Sequence, residues 1–410
     1  METIIIKVKD DSLLEENKEE SDNTSKTKSI IKIEENPELK NKSSYDFSEC
    51  MKQAEEQRKN ENYLYDDANP IEFENKIQKL SFKGNLIFIK KIKNSYFILV
   101  YQDNLIIVDN ELKNEKDLII EKTMINNICV REENEEIIIC TKNGTKLLTF
   151  NDRELESNKN LLEQASYSCA EFSNNNLIIC EKKGVFHYHS LFDITNEDKN
   201  PYPISDKSYR GVIAIDENLA AITSNKYIDN GEDKLLIYRL DSKQLIQDII
   251  GYSFNLNSNA LSLISNKKNK NKILLCACKK NEKNGILYIN IKKDEPKFNF
   301  HFIETKGFEV FCFCQLYTKS DKIFNYNYEE NATNNILVGG LNHKKMKGEI
   351  KVYKIEDNEI TSVENSFYNE IIKESKSAIN NIIQNKNNQK IIIGNFDGNI
   401  CLLDTPDIND

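Results

Sequence analysis

Two short stretches place thiols two residues apart, Cys276 with Cys278 and Cys312 with Cys314. In an extended strand, residues i and i+2 share a face, so each pair could offer two thiolates to one metal ion. Structural zinc sites more usually carry such ligands on turns, and cysteine is among the most buried residue types, so packing is the competing role. A His-Tyr-His triplet sets His187 and His189 on one strand face in the same way. No carboxylate or third histidine follows at a metal-ligand spacing, and the chain holds only 4 His in 410 residues. The expectation is no metal at either place.

Motifs for an activated nucleophile or a bound nucleotide are missing: there is no G-x-S-x-G, H-E-x-x-H, Walker sequence or G-x-G-x-x-G. With 66 acidic side chains, two neighbouring acids carry no catalytic signal. The reading is a protein that is not an enzyme and takes no cofactor. What remains is charge: Lys279, Lys280 and Lys283 cluster in one segment, and His343, Lys344, Lys345 and Lys347 in another. Such a cluster would attract an acidic or phosphorylated segment of a partner protein, with strong salt dependence. The bland alternative is solvated lysine-rich loops in a chain where Asn, Lys and Ile abound throughout.

The elements that position these residues are strands. A strand, a turn and a second strand recur at Tyr96–Asp109, Glu136–Phe150, Asn176–Asp193, Leu219–Asp241, Lys272–Asp294, Asn335–Asp357 and Lys390–Asp404. A further apolar stretch precedes each hairpin, starting at Asn85, Ile125, Ser166, Arg210, Asn259, Phe308 and Ser377. More polar fourth strands follow, from Asp117, Gln244, Lys297 and Ile360, with a weak copy in "YPISDKSY". Runs this short, bounded by Asn, Gly and Asp, suit strands, and the period of roughly 40–60 residues suits a repeat array.

Before the repeats lies a different texture. Residues 1–70 carry 18 acidic and 11 basic side chains, and so most of the chain's net charge of −10. They hold few large apolar residues and read as a disordered acidic tail, with a short helix over 48–64 capped by Ser48 as a partner-binding alternative. The near-neutral body gives no electrostatic reason to bind nucleic acid. "METIIIKVKDD" is too short for a secretory h-region, and no apolar run approaches the roughly 18 residues of a membrane span. The 10 Cys therefore read as reduced thiols of a cytoplasmic or nuclear protein.

The four-stranded period, with Asp103 and Asp109 or Asp397 and Asp404 around a third strand, and with Asp241, Asp294 and Asp357 closing theirs, resembles a degenerate WD40-repeat protein. The resemblance covers Ile71–Asp404 and implies an all-β, seven-bladed β-propeller over 71–410. Trp is absent from the chain, so the buried Asp–His–Ser/Thr–Trp network of that family is not expected. In such blades the turns between second and third strands open on one face. They look short in blades 1, 2, 3 and 7, and long in blades 4, 5 and 6, where the lysines lie. The implied function is a rigid scaffold binding partner proteins through its rim. The alternative is a phosphoinositide-binding propeller at membranes, but its Arg-Arg motif is reduced to one Arg in "YRGV" (Tyr209–Val212), in the wrong blade. An insertion at Tyr317–Asn335, carrying Phe324, Tyr326 and Tyr328, reads either as a disordered loop or as a docking segment. Finally, the last hairpin would leave an unpaired edge, and the segment 71–82 is expected to supply the missing strand and shut the ring.

Overall fold

A computed structural model describes residues 78–81 and 85–405, except 94–95, 102–103, 119–124, 152–153, 164–166, 174–175, 182–185, 191–207, 226–232, 243, 256–257, 267–270, 293–296, 319–331, 357–358, 364–374 and 386–388. The tail over 1–70, its helix over 48–64 and the aromatics of the Tyr317–Asn335 insertion lie outside these residues. All described elements belong to one unit, Phe73–Asp410. Apart from single 3-10 turns at Glu132–Asn134 and Ser258–Ala260, they are strands, as the alternation of short apolar runs and turn residues requires.

The strands fall in chain order into antiparallel sheets. Strand β1 (Gln78–Ser81) comes first. Sheet 1 is β2 (Leu86–Lys93), β3 (Tyr96–Tyr101), β4 (Leu105–Asp109) and β5 (Asn114–Leu118). Sheet 2 is β6 (Ile125–Arg131), β7 (Glu136–Thr141), β8 (Gly144–Asn151) and β9 (Glu154–Glu163). Sheet 3 has β10 (Tyr167–Ser173), β11 (Asn176–Glu181) and β12 (Phe186–Ser190) among the described residues. Sheet 4 is β13 (Ser208–Ala214), β14 (Leu219–Asn225), β15 (Lys234–Arg239) and β16 (Gln244–Ile249). Sheet 5 is β17 (Ser253–Phe254), β18 (Leu261–Ser265), β19 (Lys272–Lys280), β20 (Lys283–Ile291) and β21 (Asn299–Glu304), β17 and β18 both pairing with β19. Sheet 6 is β22 (Phe308–Tyr317), β23 (Ala332–Asn342), β24 (Lys347–Glu356) and β25 (Glu359–Val363). Sheet 7 is β26 (Ile379–Asn385), β27 (Lys390–Asn395) and β28 (Asn399–Asp404), and β1 pairs with β28 from Gln78↔Leu402 to Ser81↔Asn399.

The second strands are buried almost end to end rather than on alternate residues, because each sheet is covered on both faces. Successive side chains serve opposite neighbours. Ile98 and Val100 pack with sheet 2, while Phe97 and Leu99 pack with Ile392, Ile400 and Leu402 of sheet 7. Ile391 and Ile393, the other parity of β27, pack with Cys312 and Leu337 of sheet 6. Gly394 allows the close approach of sheets 7 and 1: a Cβ there would come within 2.4 Å of Leu86 and 2.9 Å of Ile89.

The inner strands present a further problem. Each pairs on one edge only, and the other edge would leave peptide groups unpaired. Side-chain amides fill that edge, since one carbonyl and one amine mimic a peptide. Gln315 takes Ser265 N–H (3.0 Å) and donates to Ser265 O (2.6 Å), tying sheet 6 to sheet 5. Gln384 does the same for Tyr317, at 2.7 and 3.0 Å, between sheets 7 and 6. Asn381 accepts from Ile89 N–H (2.9 Å) and donates to Ile87 O (3.2 Å), between sheets 7 and 1. These ties occupy the joints where a WD-type network is not expected.

Three expected boundaries move. The first outer strand starts at Asn114, three residues ahead of the run expected from Asp117, because the Asp109 carboxylate accepts from Glu111 N–H (2.8 Å) and Lys113 N–H (3.0 Å) and turns the chain back at once; of that run only Asp117 and Leu118 are among the described residues. The second outer strand, Glu154–Glu163, is polar enough to have escaped the hydrophobic pattern. Of "YPISDKSY", Ser208 and Tyr209 start the inner strand β13 instead, and the rest lies outside the described residues.

Candidate functional site

The lysine clusters sit on the two longest hairpins, and those hairpins are not the long loops that the sequence suggested. In sheet 5 the ladder runs from Lys272↔Ile291 to Lys280↔Lys283, leaving a two-residue turn at Asn281 and Glu282 with φ of 49° and 62°. This is the left-handed geometry that matches strand twist. In sheet 6 the ladder reaches Asn342↔Lys347 across His343–Met346. There the Asn342 side-chain oxygen Oδ1 accepts from the N–H groups of Lys344 (3.0 Å) and Lys345 (3.2 Å). The extra length is strand because the neighbouring strands still pair with it, β17 at Lys279 and β22 at Leu341 and Asn342, while its end residues carry the polar side chains. The corresponding loop of sheet 4 (226–232) lies outside the described residues.

The structure brings the two clusters together, but around carboxylates. Glu309, at the start of β22, receives Lys279 Nζ at 2.9 Å on one oxygen and His343 Nε2 at 3.0 Å on the other. Lys283 pairs with Glu304 at 3.0 Å, and Lys345 with Glu349 at 2.7 Å. Burial would raise the Glu349 carboxyl, but hydrogen bonds from Lys345 and Asn342 outweigh it and hold the group below the usual range. Lys280 lies 5.3 Å from the centre of the Tyr252 ring, and Lys351 lies 4.6 Å from that of Phe308. At the tip, His343, Lys344, Lys345, Met346 and Lys347 are all exposed, Met346 by 65%. Sequence reasoning missed Glu304 and Glu309 because they lie 21 and 30 residues beyond their lysines, on another strand.

Just below the turn of the β19–β20 hairpin, between sheets 5 and 6, is a cavity of about 260 Å³ whose lining includes Phe254, Asn255, Lys279, Glu309 and Phe311. Phe311 meets Phe396 of sheet 7 edge to face, with centroids 5.3 Å apart. The site therefore combines an aromatic floor with a rim of alternating charge. It offers apolar and charged anchors for a protein side chain.

The cysteine pairs face away from each other. Cys276 and Cys278 pack toward sheet 4, whereas Cys312 and Cys314 pack toward sheet 7. Burial pushes the Cys276 and Cys312 thiols up and takes Cys278 to about 12, so these three are not ready thiolate ligands. Among the described residues, no group of three or more His, Cys, Asp or Glu is placed to hold a metal ion. His187 and His189 fall on β12, opposite Ile179 and Leu177. No helix of the described residues is long and apolar enough to cross a membrane.

No family model matches the chain, and neither does any curated protein sequence. Solved structures do. The β-propeller domain of Cps50 (Swd1) from Myceliophteria thermophila superposes with a TM-score of 0.56 at 8% identity, covering 80% of this chain and 98% of that one. A chain of the mitotic checkpoint complex gives 0.56 at 10% identity, over 83% and 96%. Hydrazine synthase of Kuenenia stuttgartiensis gives 0.56 at 8%, over 83% and 99%. At such identities the likeness speaks for the fold alone, and that fold is a β-propeller.

Proposed function

We propose that the seven sheets are blades of one closed ring, shut by β1 on β28, and that the ring is a non-enzymatic scaffold for partner proteins. The pairing of Gln78–Ser81 with Asn399–Leu402 and the apolar cluster shared by sheets 7 and 1 support the closure. The observation that carries the function is the pair of stiff hairpins standing over the Phe311 cavity. Their tips hold exposed Lys344, Met346 and Lys347 on a rigid base, which is where binding residues concentrate. The partner that fits is a protein segment with an apolar anchor and acidic flanks. Glu304, Glu309 and Glu349 satisfy Lys283, Lys279 and Lys345, so the tip rather than the whole cluster reads the partner's charge.

The test is affinity purification from the native cell with the full chain and with a Lys344→Glu, Met346→Asp double variant. Loss of one or more partners from the variant, with an unchanged thermal melt, is the expected result. An unchanged partner list overturns the rim as the docking surface.

A further inference from the structure

A second concavity lies on the inner strands themselves, away from the hairpin tips. Near the start of these strands Asn259 of sheet 5 donates to Asn381 Oδ1 (2.7 Å) and to Asn380 O (3.1 Å) of sheet 7. Sheet 6 lies between those two sheets in chain order, so this contact crosses over the inner strands near their starts. Toward the other end of β2, β6, β10, β22 and β26 opens a cavity of about 790 Å³, within the size range of small-ligand sites.

Its walls differ. Leu263, Phe313 and Ile382 make one side apolar. On the other, the cations are already matched: Lys91 pairs with Glu132 at 3.1 Å, and Arg131 with Glu136 at 3.4 Å. Glu171 on β10 is not matched: among the described residues no ion pair reaches its carboxylate, and Lys90 of β2 acts on it only through space. Burial raises this carboxyl to about 7 despite Lys90 and despite the Phe172 N–H that it accepts. A carboxylate that no ion pair reaches, lining a cavity of this size beside an apolar wall, is the arrangement of a binding site.

We infer that this cavity binds an organic cation, an amine on an apolar stem, with Glu171 as its counter-ion and Leu263, Phe313 and Ile382 along the stem. An anion is the poorer fit, because Lys91 and Arg131 are already taken by carboxylates. The amine arrives either as a free small molecule or as a lysine side chain of a partner. The cavity is separate from the hairpin rim, so the inference stands or falls independently of the docking surface proposed there.

Calorimetry on the full chain tests it with hexylamine, hexanol and a capped lysine hexapeptide. Hexylamine binds at about pH 8 and roughly tenfold more weakly near pH 6, where Glu171 is mostly protonated while the amine stays charged. Glu171→Gln binds at least about tenfold more weakly near pH 8 and loses the pH dependence, and Leu263→Trp, which fills the apolar wall, also loses binding. Tighter binding of the peptide than of hexylamine makes a partner lysine the source, and the reverse makes it a free amine. Either supports the site if Glu171→Gln abolishes the difference from hexanol. No binding of either amine, hexanol binding as tightly as hexylamine, or a Glu171→Gln variant that binds unchanged overturns it. A Lys344→Glu, Met346→Asp variant should bind hexylamine like the parent, which separates this result from that of the rim.

Discussion

A single amide illustrates how the residues of this chain do their work. Gln384 is buried on β26 and makes both polar contacts that the inward edge of Tyr317 would otherwise lack, at 2.7 and 3.0 Å, while also reaching Thr405 Oγ1 at 3.1 Å. Removing the amide takes both of these contacts from the half-buried Tyr317 peptide, and losing each costs about 1–3 kcal/mol where water does not replace it. Gln384→Leu, similar in volume and fully apolar, should therefore destabilise by about 2–4 kcal/mol in urea unfolding. Gln384→Glu keeps the acceptor but loses the donor, and should fall between. A loss below about 0.5 kcal/mol for Leu would mean that water replaces the tie. Such ties were not legible beforehand. An Asn or Gln inside a strand reads as a polar interruption, and only the neighbouring sheet shows which peptide it completes.

At the scale of the element, the sequence showed where strands begin better than where they end. Inner strands and hairpins were legible because Ile, Leu, Val and Tyr recur in runs that both faces of a sheet must bury, as Phe97–Tyr101 and Ile391–Ile393 do. The far ends of β19, β20, β23 and β24 were read as loops because their lysines and asparagines break the apolar run, although β17 and β22 pair with β19 and β23 there. The β19–β20 turn carries a testable consequence. Asn281 tolerates the left-handed region, but Glu282 is held at φ 62° without that tolerance. Glu282→Gly should stabilise by about 0.5–1 kcal/mol, read as a higher thermal midpoint, while Asn281→Gly changes little. A Glu282→Gly variant that melts lower would show that its carboxylate holds the neighbouring lysines in place.

Over the whole molecule, the question is what the last strand pairs with. A row of sheets open at sheet 7 would expose β28 as an edge and one face of β27, whereas the pairing of β1 covers the edge and sheet 1 covers the face through Leu86, Phe97 and Leu99. The partner segment was legible because an alternating stretch without a blade of its own preceded the first inner strand. The seam's fit was not, since it depends on Gly394 admitting Leu86. In a closed ring every seam is internal, so loosening one lowers the stability of all sheets together. In an open row, damage at the end frays only the terminal sheet. Deleting residues 1–60 should thus leave a soluble protein with a single unfolding transition, whereas deleting residues 1–82 removes β1 and should abolish it. Leu86→Ala offers a gentler version at the same seam and should cost about 2–4 kcal/mol, still in one transition. Equal stability of the two truncations would open the ring, and a two-step melt for Leu86→Ala with an early loss confined to sheets 7 and 1 would do the same.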